Sequence, residues 1–156
     1  MAITTEQEFL KNLYSQQKPK TYTQVADLFE CNYQKILKLI PLIEFLSHHS
    51  FTQQNAEQNL HILIEQRTRY TGTYVLTHQI KSETGIVNRP DIKFKIYFDA
   101  KLLEVISVCN ETTLNSNHPL LAQCSDLNIQ FELNTFMARW LDYCLDKYKD
   151  RLWQTH

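Results

Sequence analysis

The clearest pattern in the chain is Ile92-Lys-Phe-Lys-Ile-Tyr-Phe98, in which Ile92, Phe94, Ile96 and Phe98 alternate with Lys93, Lys95 and Tyr97. Successive side chains of a strand point to opposite faces, so a period of two sets the apolar residues toward a core and the others toward water. Leu102 to Cys109 reads as the partner strand. If Phe98 lies opposite Lys101, then Ile96 faces Leu103, Phe94 faces Val105 and Lys95 faces Glu104, whereas a slip of one residue would set Ile96 against Glu104. A loop of two or four residues around Asp99-Ala100 keeps that parity.

The same alternation marks Leu60 to Glu65 and Thr73 to Ile80, and a less regular strand in Phe45 to Gln53 completes an expected meander of five strands. Helical spacing takes over toward both ends. Thr5-Glu-Gln-Glu8 has the form of a capping box, and Phe9, Leu10, Leu13 and Tyr14 follow it as one face of a short helix. From Thr23, Val25, Leu28, Phe29, Tyr33, Ile36, Leu37 and Ile40 recur at steps of three and four until Pro41 closes the run. Near the other end Leu133, Phe136, Met137, Trp140, Leu141, Cys144, Leu145 and Tyr148 share a helix face, with Asp142, Asp146 and Lys149 outside it. Residues 111–128 keep no period and read as a long irregular connection.

That order predicts an α+β fold: N-terminal helices, about five strands in an antiparallel meander, and a C-terminal amphipathic helix packed on one sheet face, the other face being partly wet. Ile92, Phe94 and Ile96 are expected beneath Phe136, Trp140 and Cys144. At 156 residues the chain is read as a single domain, with residues 1–22 an extension carrying a short helix and 23–150 the core.

Composition narrows the functional classes. Sixteen Lys+Arg against seventeen Asp+Glu give a net charge of -1, so no global field holds nucleic acid or an anionic membrane, and any anion site must be local. The apolar run ILKLIPLIEF is interrupted by Lys38, Pro41 and Glu44 and falls short of the roughly 20 residues of a membrane span. The start, MAITTEQEFL, lacks the basic and apolar regions of a secretory signal, which reads as a cytoplasmic protein. Cys31, Cys109, Cys124 and Cys144 show no Cys-x-x-Cys spacing and read as thiols in that compartment.

Two glycines in the whole chain leave no phosphate loop, nucleotide fingerprint or nucleophile elbow, so no catalytic residue and no cofactor is expected. The histidines His48, His49, His61, His78, His118 and His156 form no metal-binding spacing, although a two-residue turn at Arg69-Tyr70 would bring His61 opposite His78; no metal is expected. The remaining chemistry is basic and aromatic. In EQRTRYTG, residues 65–72, Arg67, Arg69 and Tyr70 sit where a turn would ordinarily carry glycine or asparagine, and Lys93 and Lys95 share one face of a nearby strand. Two planar guanidinium forks beside a tyrosine suit an anion; they also suit bracing of the turn.

Four blocks, Glu30-Cys-Asn-Tyr-Gln-Lys-Ile-Leu-Lys-Leu-Ile-Pro41, Thr68-Arg-Tyr-Thr71, Ile96-Tyr-Phe-Asp-Ala-Lys-Leu-Leu-Glu-Val105 and Leu133-Asn-Thr-Phe-Met-Ala-Arg-Trp-Leu-Asp-Tyr-Cys-Leu145, resemble in order and spacing the YqiB-like family of bacterial proteins, a domain of unknown function. The resemblance implies a bacterial, cytoplasmic setting and no activity. The chain departs from that pattern at Gln66, where the family carries a carboxylate, at Phe98, where it carries a histidine, and at Ser125-Asp-Leu-Asn128, where it carries Asp-Glu-Lys.

Two functions remain in view. One is a non-enzymatic interaction or adaptor module for a protein partner, using the half-wet sheet face and the 111–128 connection. The other is a domain for a small anion or nucleotide, conceivably an enzyme, using Arg67, Arg69, Tyr70, Lys93 and Lys95. The absence of a dense titratable cluster favours the first. Neither reading involves a membrane or nucleic acid.

Overall fold

The expected second helix forms as α1, Tyr22–Leu39, with Val25, Tyr33, Ile36 and Leu39 buried along one stripe. Pro41 has no N–H to continue the ladder, and the chain passes into one 3-10 turn, η1, Ile43–Phe45, with Ile43 buried. The structure is a computed structural model that describes residues 22–55, 57–109, 120–121 and 127–155. The short helix expected at Thr5 to Tyr14 lies outside the described residues.

Strands β1 (Ser50–Asn55), β2 (Gln58–Arg67), β3 (Thr71–Ser82), β4 (Gly85–Tyr97) and β5 (Leu102–Cys109) follow as an antiparallel meander. A short β6 (Leu120–Leu121) precedes the long helix α2 (Leu127–Tyr148), and β7 (Gln154–Thr155) comes last. Among the described residues the sheet order is β6-β5-β4-β3-β2-β1-β7, seven strands rather than five. The two extra strands flank the meander and have two residues each, too few to carry a period. The 111–128 connection likewise contains β6 and the first residues of α2, and its other residues lie outside the described ones.

In the β4–β5 pair the register is the expected one: Ile96 opposite Leu103, Phe94 opposite Val105 and Lys95 opposite Glu104. A bulge follows, because Phe94 pairs with Val105 but Lys93 with Ser107. The β3–β4 turn closes through Gly85, whose φ of 132° suits glycine, while Ser82 Oγ donates to the Gly85 carbonyl at 2.9 Å.

Both helices cover one face. Leu60, Ile62, Tyr74, Leu76, Ile92, Phe94, Ile96, Leu103 and Val105 point into that side and are all but inaccessible. From α2 the inward residues are Leu133, Met137, Leu141, Cys144 and Tyr148. Phe136 and Trp140, expected directly over the strand, instead flank this stripe and pack half-buried against the core's margin. They are displaced because Asn134 and Ala138 occupy the inner face. Asn134 is fully buried and ties three elements: Asn32 of α1 donates to its carbonyl at 2.9 Å, its own Nδ2 donates to the Gln130 carbonyl at 2.8 Å, and its Oδ1 accepts the Val105 N–H at 3.2 Å. Gln130 is buried as well, so the first two turns of α2 carry inward polar residues, and the expected start at Leu133 moves back to Leu127. Lys35 joins the helices through Asp142 at 2.9 Å.

Beyond α2, Asp150 takes a left-handed φ of 65° and turns the chain back. Trp153 then donates its indole N–H to the Leu39 carbonyl at 3.1 Å, which ties this segment to the end of α1.

Among the described residues no helix packs on the other sheet face. On it Phe51 stacks on His61 at 5.6 Å, Lys93 pairs with Glu65 at 2.8 Å, and Tyr97 donates its hydroxyl to Glu104 at 3.0 Å. Burial, then the Glu104 charge and that hydrogen bond, push the Tyr97 hydroxyl up to about 12. The unfolded chain therefore loses this proton first. The contribution of Tyr97 is complete below pH 10 and is lost as pH rises toward about 12, where the folded group also ionises. Ultraviolet titration of the folded protein should show a tyrosinate step absent from the Tyr97→Phe variant, later than the exposed tyrosines.

Candidate functional site

The segment EQRTRYTG forms the β2–β3 hairpin. Its two turn residues, Arg69 and Tyr70, both keep negative φ, so neither primed turn type is available. The closure rests on one backbone bond and the two threonine side chains instead. The Thr68 N–H donates to the Thr71 carbonyl at 2.8 Å, the Thr71 N–H donates to Thr68 Oγ1 at 3.1 Å, and the two hydroxyls meet at 2.6 Å. The Tyr70 carbonyl accepts the Phe98 N–H at 2.8 Å, which fastens the tip to the β4–β5 turn.

Below the Arg67–Gly72 and Gln66–Thr73 pairs the register shifts. Ile64 pairs with Tyr74 but Gln66 with Thr73, so Glu65 is the extra residue of a bulge. The bulge has two consequences. It moves His61 opposite Thr77 and His78 opposite Leu60, so the expected His61–His78 pair does not form; the two rings lie on opposite faces. His78 is instead buried on the helix side with its Nε2 2.9 Å from the Tyr148 hydroxyl. The bulge also turns Arg67 to the helix side, opposite Gly72.

There Arg67 acts as a clamp. Its Nη1 donates to the carbonyls of Thr68 and, at 3.0 Å, Thr71; its Nη2 donates to the Glu44 carbonyl at 3.1 Å; and its guanidinium lies 4.3 Å from the centroid of the Phe98 ring. Tyr74, fully buried, donates its hydroxyl to the neighbouring Ile43 carbonyl at 3.2 Å. Burial raises the Tyr74 pKa, with Arg67 opposing the shift and Glu44 adding to it. Burial, with the Glu44 charge, raises that of Tyr33 too. Two side chains from the hairpin thus fix the backbone of η1 against the sheet.

The fixed segment presents apolar surface to water. Phe45 is 75 % exposed and Leu42 65 %, and the Phe45 N–H donates to the Leu42 carbonyl at 2.9 Å. Side chains at i and i+3 of a 3-10 turn eclipse each other, so this pair shares one face. The turn that Arg67 clamps carries Tyr70, 50 % exposed, and Arg69, whose guanidinium lies 5.1 Å from the Tyr70 ring centroid. Among the described residues no carboxylate pairs with Arg69.

The five residues singled out in sequence are therefore divided. Arg67, Arg69 and Tyr70 meet at this corner. Lys93 and Lys95 lie on the face away from the described helices, where Lys93 is joined to Glu65 and the Lys95 amine sits 5.1 Å from the Tyr97 ring centroid. Sequence reading missed Leu42 and Phe45, which looked like part of an apolar run leading into a strand. The available signal was the run Leu42, Ile43, Phe45, Leu46 directly after Pro41: a turn of this length cannot bury every member.

Separating the two arginines is a direct check on the geometry. Arg67→Gln should lower stability by about 1 kcal/mol, because it breaks charge-assisted bonds to carbonyls, whereas exposed Arg69→Gln should change it by less than about 0.5 kcal/mol. Urea midpoints of the two single variants decide it, and equal losses would contradict the clamp.

Among the described residues no group of three or more His, Cys, Asp or Glu could hold a metal, and no disulfide is found. Burial raises the Cys144 thiol pKa, and Cys124 lies outside the described residues. No described helix is long and apolar enough to cross a membrane.

Fold and corner together define an α+β protein: an antiparallel sheet, the described helices over one face, and an exposed aromatic–arginine corner at the end of one hairpin. Its family is shown by sequence. The family model for DUF1249, described as a protein of unknown function, matches residues 35–150, from within α1 through α2, and the chain belongs to that family. No curated protein matches the chain significantly, and neither does any solved structure.

Proposed function

We propose that the protein is a non-enzymatic interaction module that docks a protein partner at the corner formed by η1 and the β2–β3 turn. The observation that carries this reading is the exposure of Leu42, Phe45 and Tyr70 on a backbone that Arg67 and Tyr74 hold in place. A backbone fixed before binding loses little freedom on association, and aromatic residues and arginine dominate interface hot spots. The four sequence blocks support a YqiB-like, bacterial, cytoplasmic setting for this activity.

A small-anion or nucleotide site has weaker support. It needs donors converging on one point, but three of the Arg67 donor contacts go to carbonyls, Lys93 is joined to Glu65, and the lysines occupy a different face from Arg67.

The test places a photoreactive amino acid at position 45 and, as a control, at position 86, where Ile86 is 59 % exposed far from the corner in the β3–β4 hairpin. Irradiation in cells should give a discrete adduct with another protein from position 45 only. That protein, identified from the cross-linked peptide and purified, should bind the parent chain at least about tenfold more tightly than the Leu42→Ser, Phe45→Ser variant. Equal adducts from both positions, adducts only with a second copy, or adducts only within the chain, for instance to residues 1–21, would overturn the reading.

A further inference from the structure

The five long strands end at β5 on one side and at β1 on the other. A strand in that position presents backbone N–H and C=O groups on which another chain can pair unless something covers them. At β5, Asn134 Oδ1 accepts the Val105 N–H at 3.2 Å and β6 pairs with Ser107 and Val108. At β1 the cover is β7, which sets Thr155 opposite Ser50 and Gln154 opposite Phe51. Among the described residues no strand pairs with Gln53 to Asn55 on that side. We infer that residues 150–155 are a strap that guards the β1 edge, and that when the strap lifts this edge pairs with the same edge of a second copy.

The composition of β1 makes a guard necessary. Ser50-Phe-Thr-Gln-Gln-Asn55 has no charge and no proline, the residue types that ordinarily keep an edge from pairing. Uncharged six-residue segments without proline or glycine are also those that associate most readily as strands, and asparagine and glutamine add to it. The register shift between Gln53 and Asn55 bends the far end of β1, which already discourages pairing there. Ser50 to Gln53 is the stretch left to cover. β7 lies along its first two residues, and the Leu152 carbonyl accepts the Thr52 hydroxyl at 2.7 Å.

A second copy fits this stretch by symmetry. Antiparallel pairing of Ser50 to Gln53 with itself sets Ser50 against Gln53 and Phe51 against Thr52, so the contact is isologous and opposes no like charges. A charged strand would find no counter-charge in these residues.

The strap is lightly held. Asp150 turns the chain at a φ of 65°, and beyond it the attachments are the Trp153 indole bond to the Leu39 carbonyl, the Thr52 hydroxyl on the Leu152 carbonyl, and the two β7 pairs. Leu152, Gln154 and Thr155 are exposed, while Trp153 packs half-buried against the core's margin. A segment with so few buried contacts opens at a fraction of the free energy of global unfolding.

The test opens the strap in the full chain. Gln154→Pro with Thr155→Pro removes both β7 donors at exposed positions, and Trp153→Ser separately removes the indole anchor. Hydrogen exchange read by mass spectrometry on the peptide spanning 49–55 should gain a class of amides that exchange at least about tenfold faster than in the parent at low protein concentration. Raising the concentration should restore their protection and raise the mass measured by light scattering. The parent should show neither change, and Trp153→Ser should follow the proline variant. A proline variant that exchanges like the parent would overturn the guard. One whose edge is open but whose mass stays that of the parent, or which associates without protecting residues 49–55, would overturn the pairing with a second copy. Loss of the cooperative melting transition in the proline variant would make β7 a strand the fold depends on and would likewise overturn the strap.

Discussion

Phe94→Ala should unfold with about 3–5 kcal/mol less stability than the parent chain, the largest loss expected from any single substitution considered. Phe94 has no accessible surface, stands on β4 in the middle of the sheet, and stacks against Tyr74 with ring centroids 5.7 Å apart. Removing the ring deletes its transfer free energy and opens a space that β4's neighbours cannot fill, because β3 and β5 hold it on both sides. Urea unfolding followed by circular dichroism gives the number directly. A loss below about 1 kcal/mol would show that the site collapses around the gap and that Phe94 is not a keystone of the core.

Gly72→Ala should cost about 1–3 kcal/mol although the change adds only one methyl group. A Cβ at Gly72 would fall 2.6 Å from both Cε2 and the hydroxyl oxygen of Tyr74. That ring cannot move aside freely, since its hydroxyl is bonded to the Ile43 carbonyl and its face rests on Phe94. At an unconstrained position glycine to alanine would usually stabilise by about 0.4–1 kcal/mol through the unfolded chain, so the sign of the effect is itself informative. A double-mutant cycle with Tyr74→Leu tests the cause: in that background the penalty at position 72 should nearly vanish. An equal penalty in both backgrounds would exclude the contact as its origin. Because Tyr74 also anchors η1, Gly72→Ala should loosen η1 in the same step.

The parts of the fold that could be read beforehand are those where one periodicity runs unbroken for several residues. Ile92 to Ile96 alternate without exception, and the β4–β5 register followed from that alternation and the parity of one loop. Val25, Tyr33 and Ile36 of α1 were similarly plain, whereas the buried Leu39 was not among the expected positions. What escaped reading depends on local departures from periodicity. The bulge at Glu65 shifts β2 by one residue with no glycine to mark it, and so changes the neighbour of every residue from Gln58 to Ile64. Asn134 and Gln130 hide the early turns of α2, because buried amides satisfied by backbone look like surface residues in a sequence.

The corner formed by η1 and the β2–β3 turn was half legible for the same reason. Arg67, Arg69 and Tyr70 stood out as unusual turn chemistry. Phe45 and Leu42 did not, because an apolar residue is taken to face inward until the geometry of its turn is known. The division of Arg67 from Lys93 and Lys95 was beyond the sequence altogether: it follows from the face to which one bulge turns one side chain.

The order of elements along the chain bears on how the protein is made. The meander pairs each strand with its sequence neighbour, so it can assemble as it leaves the ribosome, N-terminal parts first. The inner stripe of α2, from Leu133 to Tyr148, arrives only after β5 is complete. Until then Leu60, Ile62, Phe94 and Val105 line a sheet face that α1 covers only in part. At about 5–20 residues per second the 22 residues of α2 take roughly one to four seconds to emerge. During that interval the nascent chain carries an open apolar surface, and a transcript cut short before α2 would encode a protein that cannot close it.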